Sequence, residues 1–285
     1  HAGTSISSKS LFAISQSGKA CEIMRVVTRF APSPTGYLHI GGVRTALFNY
    51  IFAKKHAGEF LLRVEDTDQE RSKGEYTDAI IEGLRWLGLT YDGNPTHQSE
   101  RSVLYQNETA RLLANGKAYR CSCSPERLDA LRKEQESKGL KPMYDGLCRD
   151  KGITDEDTVV RLKTPTEGST IVDDAVYGKI EFLNKELDDL IIQRSNKTPT
   201  YHLCNVVDDN AQGVTHIIRG EDHLPNTPRQ IQIIKALGYD GFNYAHLPLV
   251  LGEDKKRLSK RHAATDLMSY KKLGYLADAI LNMLA

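Results

Sequence analysis

His39-Ile40-Gly41-Gly42 follows a proline-rich turn near the start of the chain, and Arg257-Leu258-Ser259-Lys260-Arg261 stands near its other end. No other feature of the sequence constrains the fold as much as this pair. A histidine before two glycines is common by itself, and so is a basic loop. In this order and so far apart, they describe a nucleoside triphosphate site assembled from both ends of one fold. The first places an imidazole and two positions without side chains at the mouth of a helix, where backbone N–H groups point at phosphate. Gly41 and Gly42 let a nucleotide approach the backbone closely, and His39 can donate to a phosphate oxygen. The second, preceded by Lys255 and Lys256, brings cations to the phosphates from the other side. Transfer at phosphorus asks a protein mainly to position groups and stabilise charge, and Lys260 can neutralise a departing pyrophosphate. The plainer alternatives are a histidine that only caps a helix and a solvated basic loop.

The 285 residues suffice for two domains, and 38 basic against 37 acidic side chains leave a formal net charge of +1. Overall charge therefore gives no attraction to nucleic acid, and any RNA binding rests on local patches. No apolar run approaches the ~20 residues that cross a bilayer, so no membrane span is expected. Five cysteines argue against a disulfide scaffold and suit a reducing, cytoplasmic setting. Residues 1–23 are Ser-rich and weakly patterned, and read as a leader, an upstream extension or a cloning remnant outside the fold.

Val26-Val27-Thr28-Arg29-Phe30-Ala31 reads as a buried strand cut off by Pro32-Ser33-Pro34-Thr35-Gly36. Apolar residues from Val43 to His56 follow a helical period, Phe60 to Val64 is a second strand, and Ile80, Ile81, Leu84 and Leu87 mark a helix closed by Gly88. Strand, helix, strand, helix implies a parallel sheet with crossover helices. The middle differs, with a charged helix from Pro125 to Lys138 and short strands at Val159–Leu162 and Val176–Phe182. Alternation resumes with a strand at Val214–Ile218. The next helix has Thr227 as N-cap and Pro228 in its first turn, and ends before Gly238. His246 to Leu251 reads as a further strand, and Leu267 to Leu284 as a helix still in mid-pattern where the sequence stops, which suggests a partial protein. The expected divisions are 24–103 and 200–252 as two halves of a core, 104–199 as an α+β insertion, and 253–285 as the basic loop with the helical segment after it.

Five ordered motifs carry a resemblance. They are Arg29-Phe30-Ala31-Pro32-Ser33-Pro34-Thr35-Gly36 with His39-Ile40-Gly41-Gly42, then Arg63-Val64-Glu65-Asp66-Thr67-Asp68, then Tyr201 through Asp209, then Ile218-Arg219-Gly220-Glu221-Asp222, and last Leu258-Ser259-Lys260. From Met24 onward the chain resembles class I aminoacyl-tRNA synthetases, and within them the bacterial glutamyl-tRNA synthetases. The resemblance implies an α/β fold: a Rossmann-type parallel-sheet catalytic core split by an α+β acceptor-stem-binding insertion. Beyond the basic loop it implies the start of a stem-contact region. It implies glutamate-binding roles for Arg29, Ser33, Glu65, Tyr201, Asn205 and Arg219, with Arg219 facing the side-chain carboxylate and Glu65 the α-ammonium. A guanidinium fork matches a carboxylate in a way that an ammonium does not. It implies ATP-binding roles for His39, Gly41, Gly42, Arg257, Leu258, Ser259 and Lys260, with His39 and Lys260 stabilising charge. The sequence departs from the class pattern at Gly42, where a second histidine is absent, and at Arg257, where a lysine is usual.

Cys121, Cys123 and Cys148 offer three thiolates at a spacing that can form one side of a tetrahedral zinc cage. The similar insertion of some bacterial glutamyl synthetases binds zinc through cysteines with a closing histidine. Here Asp150 stands at that position, and Tyr144 is another candidate for the fourth ligand. The alternative is three free structural thiols. Cys21 and Cys204 are expected to be inert.

The expected activity is ATP-dependent ligation of L-glutamate to tRNA-Glu through a glutamyl-adenylate, by a cytoplasmic monomer, with Mg²⁺ accompanying ATP. The alternatives are the truncated paralogue that glutamylates queuosine in tRNA-Asp, a glutaminyl-tRNA synthetase as a more distant reading, and an inert tRNA-binding module.

Overall fold

The computed structural model describes residues 25–68, 70–250 and 266–285. The chain enters as β1 (Val27–Phe30), whose four residues are all buried, and turns through the proline loop into α1 (Ile40–Lys55). β2 (Glu59–Val64) returns parallel to β1, with Thr28 opposite Phe60 and Phe30 opposite Leu62. α2 (Gly74–Trp86) then crosses to the short β3 (Thr96–His97), which extends the same sheet in parallel. Each crossover needs a helix because parallel strands cannot be joined by a tight turn.

After α3 (Ser102–Ala114), a separate antiparallel sheet forms from β4 (Ala118–Cys121), β5 (Val159–Leu162) and β8 (Ile191–Gln193), with α4 (Pro125–Ser137) between the first two. α4 is capped by Ser124, whose hydroxyl accepts from the Arg127 amide, and it buries no residue. Its polar surface fits a helix covered by solvent on most sides. β6 (Ser169–Asp174) and β7 (Gly178–Leu183) form a hairpin that joins the other sheet. There β6 runs parallel to β10 (Asn243–Leu247), and β10 parallel to β9 (His216–Gly220). The middle of the chain therefore contributes two strands to the core sheet, and sheet membership cuts across the 104–199 division.

Strands β1 and β9 meet edge to edge at their N-terminal ends. The Thr215 amide donates to Val27 O at 2.9 Å, and the Val27 amide donates to the Thr215 hydroxyl at 2.8 Å. Further along, the side chain of Asn49 on α1 bridges the two halves. Its amide donates to Ile218 O at 2.9 Å, while Thr28 donates to Asn49 O. The resulting order, β3-β2-β1 beside β9-β10-β6-β7, reverses direction at β1/β9. That is the doubly wound Rossmann arrangement, in which the crevice at the reversal takes the ligand.

α5 (Tyr201–Ala211) and α6 (Thr227–Leu237) complete the second half, and α7 (Leu267–Lys272) and α8 (Ala277–Leu284) close the described chain. One core joins Phe30, Val43, Leu47, Phe60, Leu62 and Leu84 to Leu267, Ile280 and Leu284. Another joins Tyr105 and Leu112 of α3 to Val160, Ile192, Leu203 and Ile233.

Several elements differ from the sequence expectation: β3, β4, β8, α3 and α5 are additional to it, and β9 lies two residues later than Val214–Ile218. The expected strand at 176–182 is displaced to β7, and its partner β6 is an additional strand. β10 ends at Leu247, before Pro248, rather than continuing to Leu251. α6 takes Asn226 as N-cap, leaving Thr227 as its first residue with its hydroxyl buried. The C-terminal helix is two helices, broken at Gly274, whose φ of 86° no continuing helix accepts.

Candidate active site

A cleft of about 1370 Å³ opens at the β1/β9 reversal. Its lining includes Arg29, Ser33, His39, Gly41, Gly42, Glu65, Tyr201, Asn205 and Arg219. Every glutamate- and ATP-binding candidate among the described residues therefore borders one space. Arg257, Leu258, Ser259 and Lys260 lie outside the described residues.

His39 precedes α1 in an extended conformation, and its Nδ1 accepts from the Gly42 amide at 3.2 Å. The ring is thus a helix cap, which turns it across the mouth of the cleft. A Cβ at position 41 would sit 3.2 Å from two atoms of this ring, so Gly41 makes room for the imidazole as well as for any ligand.

Behind the cleft lies a buried ionic lattice. Arg29, at the end of β1, grips Asp209 with two hydrogen bonds of 2.9 and 3.3 Å. Arg63, at the end of β2 and fully buried, reaches the same carboxylate at 2.6 Å and also contacts Glu65 and Asn205 at 3.3 and 3.2 Å. Asp208 accepts from Gln98, Arg101 and Tyr105 at 2.7–2.8 Å. Burial opposes ionisation of Asp209, yet Arg29 and Arg63 hold its carboxyl below the usual carboxylate range. For Glu65 the balance is reversed: burial pushes its carboxyl up despite Arg63 and Arg29. A cation arriving beside Glu65 would offset that penalty, because an opposite charge favours the ionised form.

Arg219, at the end of β9, is as buried as Arg29 but is held differently. Its Nε donates to His246 Nε2 at 3.1 Å and its Nη2 to the Thr227 hydroxyl at 2.9 Å. Among the described residues no carboxylate pairs with it. Burial draws the guanidinium below the usual arginine range, with Arg29 adding repulsion. The neighbours register the same positive field. His223, whose Nδ1 lies 2.9 Å from the Tyr201 hydroxyl, is lowered to about 4 by burial and then by Arg219. His202 is lowered to about 4 by burial, Arg229 and Arg219. Burial pushes Tyr201 up to about 12.

The cysteine trio is brought together outside this cleft. One Sγ from each of Cys121, Cys123 and Cys148 lies within 4.8 Å of the others, and Cys123 and Cys148 are 3.5 Å apart. Zn–S bonds of about 2.3 Å in a tetrahedron put sulfurs about 3.8 Å apart, so the spacing fits zinc. Asp150 is not among the groups brought together there. Its side chain is 79% exposed and bound to Lys163 at 2.8 Å. The Tyr144 hydroxyl instead lies 3.3 and 3.6 Å from Cys121 and Cys123, and accepts from the Cys148 amide at 2.9 Å. Burial raises the Cys148 thiol, but hydrogen bonds from Tyr144 and the Ser122 backbone outweigh it and bring it to about 7.

Sequence reasoning left Arg63, Asp208 and Asp209 without roles. The signal was present: two consecutive aspartates directly follow Val206-Val207 in a helix whose positions 203–209 are all buried. Buried carboxylates must meet buried cations.

A doubly wound sheet with a polar cleft at its reversal point defines a Rossmann-type ligand-binding core. Residues 25–285 match the family model "tRNA synthetases class I (E and Q), catalytic domain", and the chain belongs to this family. A glutamate–tRNA ligase of Alkalilimnicola ehrlichii is 54% identical over 263 residues, covering 91% of this chain and 56% of that protein. Its counterpart in Geobacter sulfurreducens is 55% identical over 258 residues, covering 90% and 55%. The crystal structure of an Elizabethkingia meningosepticum glutamate–tRNA ligase in complex with its amino acid superposes with a TM-score of 0.84 at 35% identity, covering 92% of this chain and 60% of that one. The chain thus spans little more than half the length of the curated relatives it matches. No helix among the described residues is long and apolar enough to cross a membrane.

Proposed function

We propose that the protein catalyses ATP-dependent ligation of L-glutamate to tRNA-Glu. The observation that carries this reading is Arg219, a buried guanidinium bordering the cleft and held, among the described residues, by the neutral acceptors His246 and Thr227. A buried charge demands a partner, and a fork of N–H donors at the floor of a cleft matches the glutamate side-chain carboxylate. Glu65, raised by burial, is placed to take the α-ammonium. The glutamate α-carboxylate then attacks the α-phosphorus of ATP, which enters as its Mg²⁺ complex, and pyrophosphate departs. A ribose hydroxyl of the terminal adenosine of tRNA next attacks the acyl carbon of the glutamyl-adenylate, and AMP departs. The N-terminus of α1, with His39 across it, favours the phosphates, and Lys260 is assigned to the leaving pyrophosphate. A cytoplasmic location accompanies this reading.

The test is ATP–pyrophosphate exchange in the presence of tRNA-Glu, which enzymes of this kind generally need for activation. Exchange dependent on glutamate and not supported by glutamine is the expected result. An inert tRNA-binding module would give none with either amino acid, and that outcome overturns the reading.

Cys121, Cys123, Cys148 and Tyr144 are the residues that would hold a structural zinc ion, tying β4 to the 144–148 loop. Purified protein is expected to carry about one zinc per chain by elemental analysis, and Cys148→Ser to lose it. Asp150→Ala should keep the metal. A metal-free preparation made without chelator removes the assignment.

A further inference from the structure

Arg219, His246 and Asp174 stand side by side on three neighbouring strands. His246 is the register partner of Arg219 on β10, and β10 in turn pairs with the end of β6, where Asp174 lies. Asp174 accepts from His246 Nδ1 at 2.6 Å, and His246 Nε2 accepts from Arg219 at 3.1 Å. The side chains of Asp174 and His246 are both fully buried. We propose that His246, oriented by Asp174, is a positioning residue for glutamate selection. It aims the Arg219 fork into the cleft while leaving its charge unneutralised. This rests on the reading that Arg219 receives the glutamate side-chain carboxylate.

Hydrogen-bond direction fixes the ring's state. Arg219 Nε has only a proton to offer, so His246 Nε2 must present a lone pair. Its Nδ1 must then carry the proton, and Asp174 is the acceptor there. A protonated imidazole would set N–H against N–H at the Arg219 contact. Burial and the Arg219 charge both lower the His246 pKa, in keeping with the neutral ring. Asp174 does not depend on the ring for satisfaction, because it also accepts from the amides of Val176, Tyr177 and His246. It is a fixed anion that selects one tautomer.

The contrast with Arg29 and Arg63, the buried arginines of the neighbouring ionic lattice, shows what this achieves. Arg29 and Arg63 are anchored by Asp209, which cancels their charge where it anchors them. At Arg219 the carboxylate is one imidazole removed. The guanidinium receives the directional hold of an acceptor, with no carboxylate paired to it among the described residues. Thr227, at the start of α6, supplies a second neutral acceptor for Nη2. Nη1 makes no hydrogen bond with the described residues and is not among the buried polar atoms that lack a partner. The fork is thereby turned toward a ligand, and a cation so held favours an anionic side chain over an amide.

The experiment measures equilibrium affinities of the full chain for L-glutamate, L-glutamine and ATP. It compares wild type with Arg219→Ala, His246→Phe, His246→Gln and Thr227→Val. His246→Phe keeps ring volume and removes the acceptor. It should weaken glutamate by about tenfold or more, equivalent to about 1.4 kcal/mol, and should lower the glutamate-to-glutamine preference. ATP affinity should stay within about twofold. His246→Gln, which can present an amide oxygen near the Nε2 position, should recover most of the loss, and Thr227→Val should show a smaller one. In wild type, nitrogen chemical shifts should report a neutral His246 protonated at Nδ1. That reading needs no variant to fold. An Nε2-protonated or doubly protonated ring overturns the inference, as does unchanged glutamate affinity in folded His246→Phe while Arg219→Ala loses it. If Arg219→Ala itself binds glutamate normally, the underlying assignment of Arg219 fails first.

Discussion

Asp209→Ala should destabilise the protein by about 3–5 kcal/mol, the usual cost of removing one partner from a buried ion pair. Asp209 is the common counter-ion of Arg29 and Arg63, at 2.9 and 2.6 Å, and all three side chains are almost wholly buried. Without it, two guanidinium groups from adjacent parallel strands face each other across a low-dielectric space. Glu65 and Asp208 remain near Arg63 but do not replace the two-pronged grip on Arg29. Thermal unfolding at neutral pH should show a fall in Tm on the order of 10 °C. Asp209→Asn, which keeps the shape and loses the charge, should fall between. The sign of the pH effect follows from the depressed folded-state pKa. The stabilisation is present above the unfolded carboxylate pKa and is lost as pH falls through the lower folded value. The gap between wild type and variant should therefore close in strong acid. A Tm within a degree or two of wild type at neutral pH would show that the lattice is not under the electrostatic tension described.

The strands that carry the site were legible because they are apolar runs cut off by chemistry-bearing residues. β1 ends at Phe30 beside Arg29, and β2 ends at Val64 just before Glu65. Both are central strands buried on two faces, the case in which composition alone marks a strand. β6 escaped notice because its buried positions are Thr170, Val172 and Asp174, while its exposed ones include Ile171. Its inward face is polar because its partners are: Thr170 bonds Asn184 and Gln232, and Asp174 bonds His246. A polarity pattern of that kind reads as a solvated loop until the partners are known. The same lack hid the ionic lattice. Arg29, Arg63 and Asp209 were each visible as charges, but only the meeting of β1, β2 and α5 makes them one object. Among the zinc candidates, spacing brings out the three cysteines, whereas which further side chain approaches them depends on loop direction. Lys163 draws Asp150 to the surface, and the 144–148 turn carries the Tyr144 hydroxyl inward. The C-terminal break at Gly274 was missed because apolar periodicity continues across it, from Tyr270 to Leu276 and Ile280.

Arg219→Ala should cost about 2–5 kcal/mol in glutamate affinity, on the order of 30- to 5,000-fold in Kd, and should leave ATP affinity nearly intact. The separation is structural. Arg219 is positioned by β10 and the first turn of α6, through His246 and Thr227. The elements proposed to face the phosphates, His39 and the N-terminus of α1, are positioned by a different strand and by the Gly42 amide. Removing the guanidinium also relieves repulsion with Arg29 and the desolvation of a buried charge, which offsets the cavity and the lost hydrogen bonds to His246 and Thr227, so the loss of stability should be well below that of Asp209→Ala. Loss of affinity with most of the stability retained contrasts with the Asp209→Ala result, and thermal unfolding beside equilibrium binding distinguishes the two. Arg219→Lys keeps the charge but loses the fork, and should recover only part of the affinity, because a carboxylate gains from two parallel donors. Glutamine should bind the alanine variant nearly as well as glutamate does, since the discriminating charge has gone. Equal losses for ATP and glutamate would place Arg219 in the general architecture of the cleft rather than at the amino-acid side chain.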